Sequence, residues 1–244
     1  MAASCSTCCG SSLPRHAPHE GTAGGVKQAA RHGALAVFDL DRTLTRHDTL
    51  LPYVLGYLWH HPARLPRLLL ALPAAVRFLF ERDHGALKGS FIHATLGGVP
   101  RGSLERWTER FVSRLIRSGM RGEALQVLGS HRQRGDRLLL MSASTDLYLP
   151  QIAAALGFDE LICSHVLWRP DDRLDGRLTG YNCRGEEKRR QLAAVIARDA
   201  PSRVFAYGDS AADLLHMQLA QEAYLINAGR GARLPAGVRA LRWR

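Results

Sequence analysis

Residues 34–45 read ALAVFDLDRTLT, an apolar run followed by two aspartates, Asp39 and Asp41, on either side of one leucine. Two later apolar runs also end in polar residues, since RLLLM precedes Ser142 and RVFAY precedes Gly-Asp209. Continuous apolar runs with helical stretches between them are typical of buried parallel strands in an α/β sheet. The carboxyl ends of such strands meet at one edge, so the sequence predicts that these polar residues share a site.

The aspartates of these segments predict a divalent metal ion. Asp39 and Asp41 alternate along an extended chain, so both face the same side roughly 7 Å apart while Leu40 points into the core. Together with Asp209 and Asp213, these carboxylates would repel one another in a partly dry cleft. Mg²⁺ removes such repulsion, because it binds one or two carboxylates together with water and phosphate oxygens.

The same residues suit phosphoryl transfer. In-line displacement at phosphorus needs a nucleophile, an acid for the leaving oxygen, and positive charge over the phosphate oxygens. Asp39 fits the nucleophile, and Asp41 fits an acid that then acts as a base. Lys188 in GEEKRRQL and the metal ion fit the positive charge, and Ser142 fits a hydrogen-bond donor. We interpret Ser144 as a turn hydroxyl, with a second phosphate donor as the alternative.

Four motifs in this order, FDLDRTLT, LMSAS, GEEKRRQL and YGDSAAD, resemble those of the haloacid dehalogenase-like (HAD) hydrolases. The stretch DGRLTGYNCRGEEKRRQL is similar to bacterial members of the phosphoserine phosphatase-like branch, subfamily IB. The resemblance covers roughly residues 34–230. It implies an α/β fold, in which a Rossmann-like doubly wound parallel sheet forms the core and an α-helical cap of the C1 type is inserted.

The resemblance also implies an activity, that of a Mg²⁺-dependent phosphoric monoester hydrolase. Asp39 would carry an aspartyl-phosphate intermediate, and Asp41 would be the acid and base. The implied phosphate ligands are Ser142, Ala143 and Lys188. The implied metal ligands are Asp39, Asp209 and the carbonyl of Asp41, with Asp213 as a further ligand or a support.

The organisation of the chain follows from the spacing of the motifs. We expect residues 34–47 and 121–244 to form the catalytic core, and residues 48–120 to form a helical cap that closes over the site and selects the substrate. Residues 50–80 are unusually apolar, but prolines and arginines interrupt them, so no run approaches the roughly 18–20 residues of a transmembrane helix. Packing within the cap is the favoured interpretation of this stretch, and peripheral membrane contact is the alternative.

Two features bear on the substrate. Asp48 occupies the position at which the phosphoserine phosphatases place a Glu against the substrate amine, although it also suits a helix N-terminus. The cap stretch LKGSFIHATLGGVP offers Lys88 and His93 but no Arg for a substrate carboxylate, so Arg82 or Arg101 is the alternative. Phosphoserine and histidinol phosphate are therefore the favoured substrates, with a lipid phosphate as a third candidate.

Residues 1–33 are rich in Gly, Ser, Ala and His, and we expect a disordered extension because they offer little apolar surface to bury. They lack the apolar segment of a secretory signal. Cys5 and Cys8 with His16 and His19 form a weak zinc-like pattern, which is the alternative to disorder. Five cysteines, an odd number, without an export signal favour a reduced, cytoplasmic protein.

The net charge of +11 does not by itself indicate a nucleic-acid partner. Lys and Arg are scattered through every segment, and no dense basic run is interleaved with aromatic residues. We expect a small phosphorylated metabolite as the partner and no nucleic acid. A non-catalytic or nucleic-acid-binding protein on the same fold is the alternative of a different class.

Overall fold

The computed structural model describes residues 33–81, 83–229 and 231–244. The predicted N-terminal extension and its cysteine-histidine pattern lie outside these residues, except for Gly33, and so does Arg82. The strands are β1 (Leu35–Phe38), β2 (Arg137–Thr145), β3 (Glu160–Trp168), β4 (Leu174–Thr179), β5 (Val204–Gly208), β6 (Glu222–Ile226) and β7 (Val238–Leu241). The helices are α1 (Leu50–His60), a 3-10 helix (Pro62–Ala71), α2 (Leu72–Glu81), α3 (His84–Leu96), α4 (Arg101–Ser118), α5 (Gly122–Gln133), α6 (Leu149–Leu156), α7 (Glu186–Asp199) and α8 (Leu214–Met217).

The seven strands form one sheet in the order β4-β3-β2-β1-β5-β6-β7. Neighbouring strands are parallel except for β3 and β4, which are antiparallel. β1 lies between β2 and β5. After β1 the chain adds β2, β3 and β4 on one side of it, and then β5, β6 and β7 on the other. Such a reversal of strand order opens a crevice at the carboxyl ends of the strands, where α/β proteins bind ligands. The predicted α/β fold class is confirmed.

Both faces of the central strand are buried, as its uninterrupted apolar sequence predicts. Ala36 and Phe38 belong to the larger apolar cluster, which also contains residues of α1, α4, α5 and α6. Leu35 and Val37 face the other way and pack with residues of α7, among them Leu192. Helices therefore cover both faces, and the carboxyl end of β1 stays fixed between them.

The helices α1 to α4 form an insertion between β1 and β2. The two ends of this insertion lie side by side, since the Arg46 N–H donates to the Gly119 carbonyl and the Arg121 N–H donates to the Leu44 carbonyl. At its far side α3 packs on β4, where Gly89 approaches the backbone of Leu178 so closely that an added Cβ would lie 3.2 Å from its nitrogen. The insertion thus begins and ends beside the crevice, as a cap would, and the boundaries 48–120 stay a prediction.

Within residues 33–81, 83–229 and 231–244, no helix has both the length and the hydropathy that a membrane crossing requires.

Candidate active site

Asp39 is the first residue after β1, and its N–H still donates to the Tyr207 carbonyl of β5 at 2.9 Å. The chain then forms a tight turn of π-helical type over Leu40–Leu44, in which Arg42 takes a φ of 60°. Asp39 and Asp41 both keep extended backbone angles, and Leu40 between them is fully buried. The alternation that the sequence predicts therefore holds, although these residues lie in a turn instead of a strand.

Three hydrogen bonds hold the carboxylate of Asp41. Its Oδ1 accepts from the N–H and the hydroxyl of Thr49, at 2.7 and 2.6 Å, and its Oδ2 accepts from the Ser144 hydroxyl at 2.5 Å. Burial raises the pKa of Asp41, and the donors Ser144 and Thr49 partly offset this effect. A carboxyl group with a raised pKa is suited to hold and donate a proton near neutral pH.

Lys188 lies in the first turn of α7 and is almost completely buried. Its Nζ donates to Oδ1 of Asp39 and to Oδ1 of Asp213, each at 2.7 Å. Burial alone would lower the pKa of Lys188, but the two carboxylates raise it above the ordinary value. The ammonium thus stays charged, as a buried ion between two buried carboxylates must.

Asp39, Asp209 and Asp213 each bring one carboxylate oxygen to a single place, with these oxygens within 4.8 Å of one another. Burial, followed by the neighbouring charge of Asp213, raises the pKa of Asp209 to about 6. Gly208 permits the close approach of the chain, because a Cβ there would lie 2.7 Å from the Cβ of Asp213. Three clustered oxygen donors of this kind fit Mg²⁺.

The carboxylate of Asp41 is not part of this cluster of Asp39, Asp209 and Asp213.

Burial opposes the ionisation of Asp213, yet Lys188, His216 and the Ser210 hydroxyl together lower its pKa below the usual value. Burial is also the main cause that raises the pKa of Asp39, against the opposing charge of Lys188. Asp213 is therefore the more readily ionised of the two carboxyl groups that bind Lys188. Among the described residues, the second carboxylate oxygen of Asp39 accepts no hydrogen bond.

The predicted phosphate ligands on β2 differ in their accessibility. Ser142 is fully buried, and its hydroxyl oxygen accepts the Ser144 N–H at 3.0 Å. The carbonyl of Ala143 accepts a hydrogen bond from Lys88 and one from the Ser164 hydroxyl. Ser144 lies within β2 and binds Asp41, so its interpretation as a turn hydroxyl is wrong. β2 continues through Ser144 to Thr145, where its pairing with β3 resumes after a shift in register.

Two cavities meet over these residues. The smaller, of about 170 Å³, is lined by all four aspartates of the motifs and by Lys188, Ser210 and Ala212. The larger, of about 460 Å³, extends under the helical insertion, with Leu50, Leu87, Lys88 and Phe91 in its wall. Asp41, Asp48, Ala143 and Arg184 line both cavities. A molecule that places one end against Asp39 therefore has room for its other end between core and insertion.

The cap residues singled out for the substrate do not all reach this space. Lys88 does, and its Nζ donates to the Asn182 side chain at 2.7 Å and to the Ala143 carbonyl. His93 instead places Nδ1 at 2.7 Å from the carbonyl of Asp175. Arg101 pairs with Asp172 on the surface and stacks on Trp168, so its assignment to the substrate is wrong. The position of the Arg101 side chain is set by Asp172 and Trp168, which are distant in the sequence, so no local pattern could predict it.

Asp48 lines both cavities and does not cap α1. The N-cap position belongs to Thr49, and the N-cap side chain makes no capping hydrogen bond because it is turned toward Asp41. The negative charge of Asp48 contributes to the raised pKa values of Asp41 and Asp209, which places it near both. The Asp48 carboxylate thus lies where the two cavities meet. This is the position that a contact with a cationic group of the substrate would require.

Sequence reasoning missed two residues of this site, Thr49 and Arg184, and it missed the contact that Ser144 makes with Asp41. Thr49 and Ser144 bind Asp41, and Arg184 lines both cavities. Within the described residues the Arg184 guanidinium has no carboxylate partner. Its place four residues before Lys188, just ahead of α7, was the available signal, since the loop before that helix must lie at the same edge of the sheet.

A family model described as haloacid dehalogenase-like hydrolase matches residues 36–218, which include all four motifs. The chain belongs to this family. Protein CicA of Caulobacter vibrioides is 32% identical over 200 residues, which make up 81% of this chain and 88% of CicA. A probable phosphatase of Mycobacterium tuberculosis is 25% identical over 226 residues, 89% of this chain and 76% of the relative.

The fold of this family member is shared with a solved structure of phosphoserine phosphatase that holds a phospho-aspartyl intermediate analogue. The TM-score is 0.59 at 17% identity, and the match covers 82% of this chain and 88% of the other. At that identity the likeness shows the fold alone. Membership of the HAD hydrolases, which the motifs predict, is confirmed, and phosphoserine phosphatases share the fold.

Proposed function

We propose that this HAD hydrolase is a Mg²⁺-dependent phosphatase that cleaves a phosphomonoester through an aspartyl-phosphate on Asp39. One observation carries the proposal: Asp39, Asp41 and Lys188 line the same cavity, with Asp39 bound to a buried ammonium. The relative from Mycobacterium tuberculosis, named a probable phosphatase, supports the same reaction class. The clustered carboxylates supply the oxygen donors that phosphoryl-transfer enzymes use.

The chain's own residues account for the two half-reactions. Lys188 holds Oδ1 of Asp39, so Oδ2 attacks phosphorus and the bond to the leaving oxygen breaks. Asp41, whose pKa burial raises, gives its proton to that oxygen. Asp41 then takes a proton from the water that attacks phosphorus, and the bond to Asp39 breaks. Phosphate and the starting carboxylate result.

A metal ion fits the chain's donor set. Asp39, Asp209 and the carbonyl of Asp41 would hold it, with Asp213 as a further ligand or a support. When bound, Mg²⁺ supplies positive charge to the phosphate oxygens. The Lys188 ammonium neutralises Asp213 and one oxygen of Asp39, so it keeps the carboxylates together before any cation binds. Ala143, which lines both cavities, and Ser142 are the further proposed phosphate ligands.

The larger cavity constrains the leaving group. Its charged side chains include Asp48, Lys88 and Arg184, which carry both signs of charge, and Leu50, Leu87 and Phe91 of the insertion add apolar surface. Phosphoserine has an amine and a carboxylate for these groups, and histidinol phosphate has an amine and an aromatic ring. We propose a small phosphomonoester of this kind as the substrate, with Asp48 facing a cationic group.

The experiment that tests this function measures phosphate released from p-nitrophenyl phosphate with and without Mg²⁺. We expect turnover that requires the metal ion and that Asp39→Asn abolishes while circular dichroism stays unchanged. Asp146→Asn is the matched control, because Asp146 pairs with His165 outside both cavities. Full turnover by Asp39→Asn would contradict the proposal, and a folded, inactive wild-type protein would favour a non-catalytic role on this fold.

A further inference from the structure

We propose that the outer face of the helical insertion is a docking surface for an anionic phospholipid membrane. The first part of this face is a stripe on α1 formed by Leu51, Leu55 and Trp59, all exposed, with 78% of Trp59 accessible to solvent. Residues four apart on a helix lie above one another, so these three side chains form one stripe. Trp is the residue best suited to the boundary between headgroups and acyl chains.

The second part is formed by the elements that follow. Leu72, Val76, Leu79 and Phe80 recur on one side of α2, and all are exposed, Phe80 by 82%. Scattered exposed leucines are common in soluble proteins, but a concentration of large apolar side chains on consecutive elements marks an interaction site. The 3-10 helix between α1 and α2 adds further exposed leucines.

The orientation of the face is fixed by hydrogen bonds. Arg64 donates to the Gly97 carbonyl at 3.2 Å and Arg67 donates to the Ala94 carbonyl at 2.9 Å, so both reach the C-terminal end of α3. These contacts attach the polar side of the 3-10 helix to α3 and leave Leu69 and Leu70 exposed. Folding therefore presents the leucines to solvent even though burying them would be favourable.

The charge around this face matches an anionic surface. No Asp or Glu occurs between residues 49 and 80. The three arginines of this stretch already have partners, since Arg64 and Arg67 bind α3 and Arg77 pairs with Glu81. Next to Trp59, His60 lines a cavity of about 350 Å³ together with Arg110, Arg114 and Arg117 of α4. No carboxylate lines this cavity among the described residues. Arginines beside an apolar stripe are the combination by which proteins bind lipid phosphates at an interface.

Other occupants fit this face less well. The first thirty residues contain only Met1, Leu13 and Val26 as large apolar residues, too few to cover two leucine-rich stripes. A twofold-symmetric dimer through the same patch would bring equivalent arginines of both copies to one interface, where like charges oppose association. A lipid surface supplies both the apolar phase and the negative charge.

The docking surface also borders the substrate cavity. Leu51 belongs to the exposed stripe and to the cavity lining, and Ala71 of the lining directly precedes Leu72. This relation rests on the proposed function: a phosphatase docked here receives phosphomonoesters at the membrane surface. Membrane binding itself does not depend on catalysis, so the two proposals can fail separately.

The test is sedimentation of the full chain carrying Asp39→Asn with vesicles of phosphatidylcholine, with and without phosphatidylglycerol. We expect binding to the anionic vesicles and at least about tenfold weaker partition to neutral ones. The double variant Leu79→Ser/Phe80→Ser should lower partition about tenfold or more. Arg110→Gln/Arg114→Gln should remove the preference for anionic lipid. The matched control is Leu125→Ser/Leu167→Ser, which alters exposed leucines outside the face.

Two outcomes would overturn the docking proposal. One is that Leu79→Ser/Phe80→Ser and the control bind anionic vesicles equally well, or that none of the proteins binds vesicles. The other is a dimer, seen by light scattering, that Leu79→Ser/Phe80→Ser dissociates while vesicles bind nothing, since the face would then join two copies. Vesicle binding by a wild-type protein that never hydrolyses p-nitrophenyl phosphate would leave the docking surface in place and remove the proposed function.

Discussion

The Ser144 hydroxyl donates to Oδ2 of Asp41 across 2.5 Å and so ties β2 to the turn that follows β1. Thr49, just before α1, binds the other oxygen of the same carboxylate. The proposed acid and base is therefore oriented from two directions. One of these contacts comes from the core and the other from the start of the helical insertion, so the position of Asp41 depends on both.

Removal of the first contact, by Ser144→Ala, should lower kcat. A hydrogen bond to a charged group contributes about 1.5–3 kcal/mol, which corresponds to roughly a 10- to 150-fold loss if it orients Asp41 in the transition state. Steady-state hydrolysis of p-nitrophenyl phosphate measures the effect. Ser130→Ala is the control, because that exposed hydroxyl donates to the Gln126 carbonyl of its own helix, away from the site. Equal rates in both variants would show that Ser144 does not orient the acid.

Lys188→Met should destabilise the metal-free protein. The buried ammonium serves Asp39 and Asp213 at once, and removal of one partner from a buried ion pair costs about 3–5 kcal/mol. Urea unfolding in the presence of a chelator measures this loss, and added Mg²⁺ should restore part of it. Arg190→Met, which removes an exposed ion pair with Glu187, should change the free energy of unfolding by less than about 1 kcal/mol.

The alkaline side of the pH profile should depend on Lys88. Burial lowers the pKa of Lys88 to about 8, although the charge of Asp41 acts in the opposite direction. Lys88 is positive below that pH and becomes neutral as the pH rises through it. If its charge holds an anionic substrate group, KM should rise above about pH 8. The KM of Lys88→Met should be higher at pH 7 and nearly constant from pH 7 to 9. A wild-type KM that does not change over this range would remove Lys88 from the substrate contacts.

The strands and motif residues were predictable because their signals are local. Residues 35–38 of the apolar run are buried on both faces in β1, and Asp39 follows them directly. The contact of Ser144 with Asp41 and the stacking of Arg101 on Trp168 were not predictable, since partners distant in the sequence set each position. The sequence did indicate helices throughout the insertion, but one of them is a 3-10 helix. Pro66 inside it lacks the N–H that an α-helix would use.

The central claim is that Asp39 itself accepts the phosphoryl group. Acid quench of the enzyme during turnover of a ³²P-labelled phosphomonoester with Mg²⁺ traps any phosphoenzyme, and borohydride converts an aspartyl-phosphate to homoserine. We predict label in the wild-type protein, none in Asp39→Asn, and homoserine at position 39 in the peptide mass spectrum. Turnover without label at any time point, or label on another residue, would contradict covalent catalysis by Asp39.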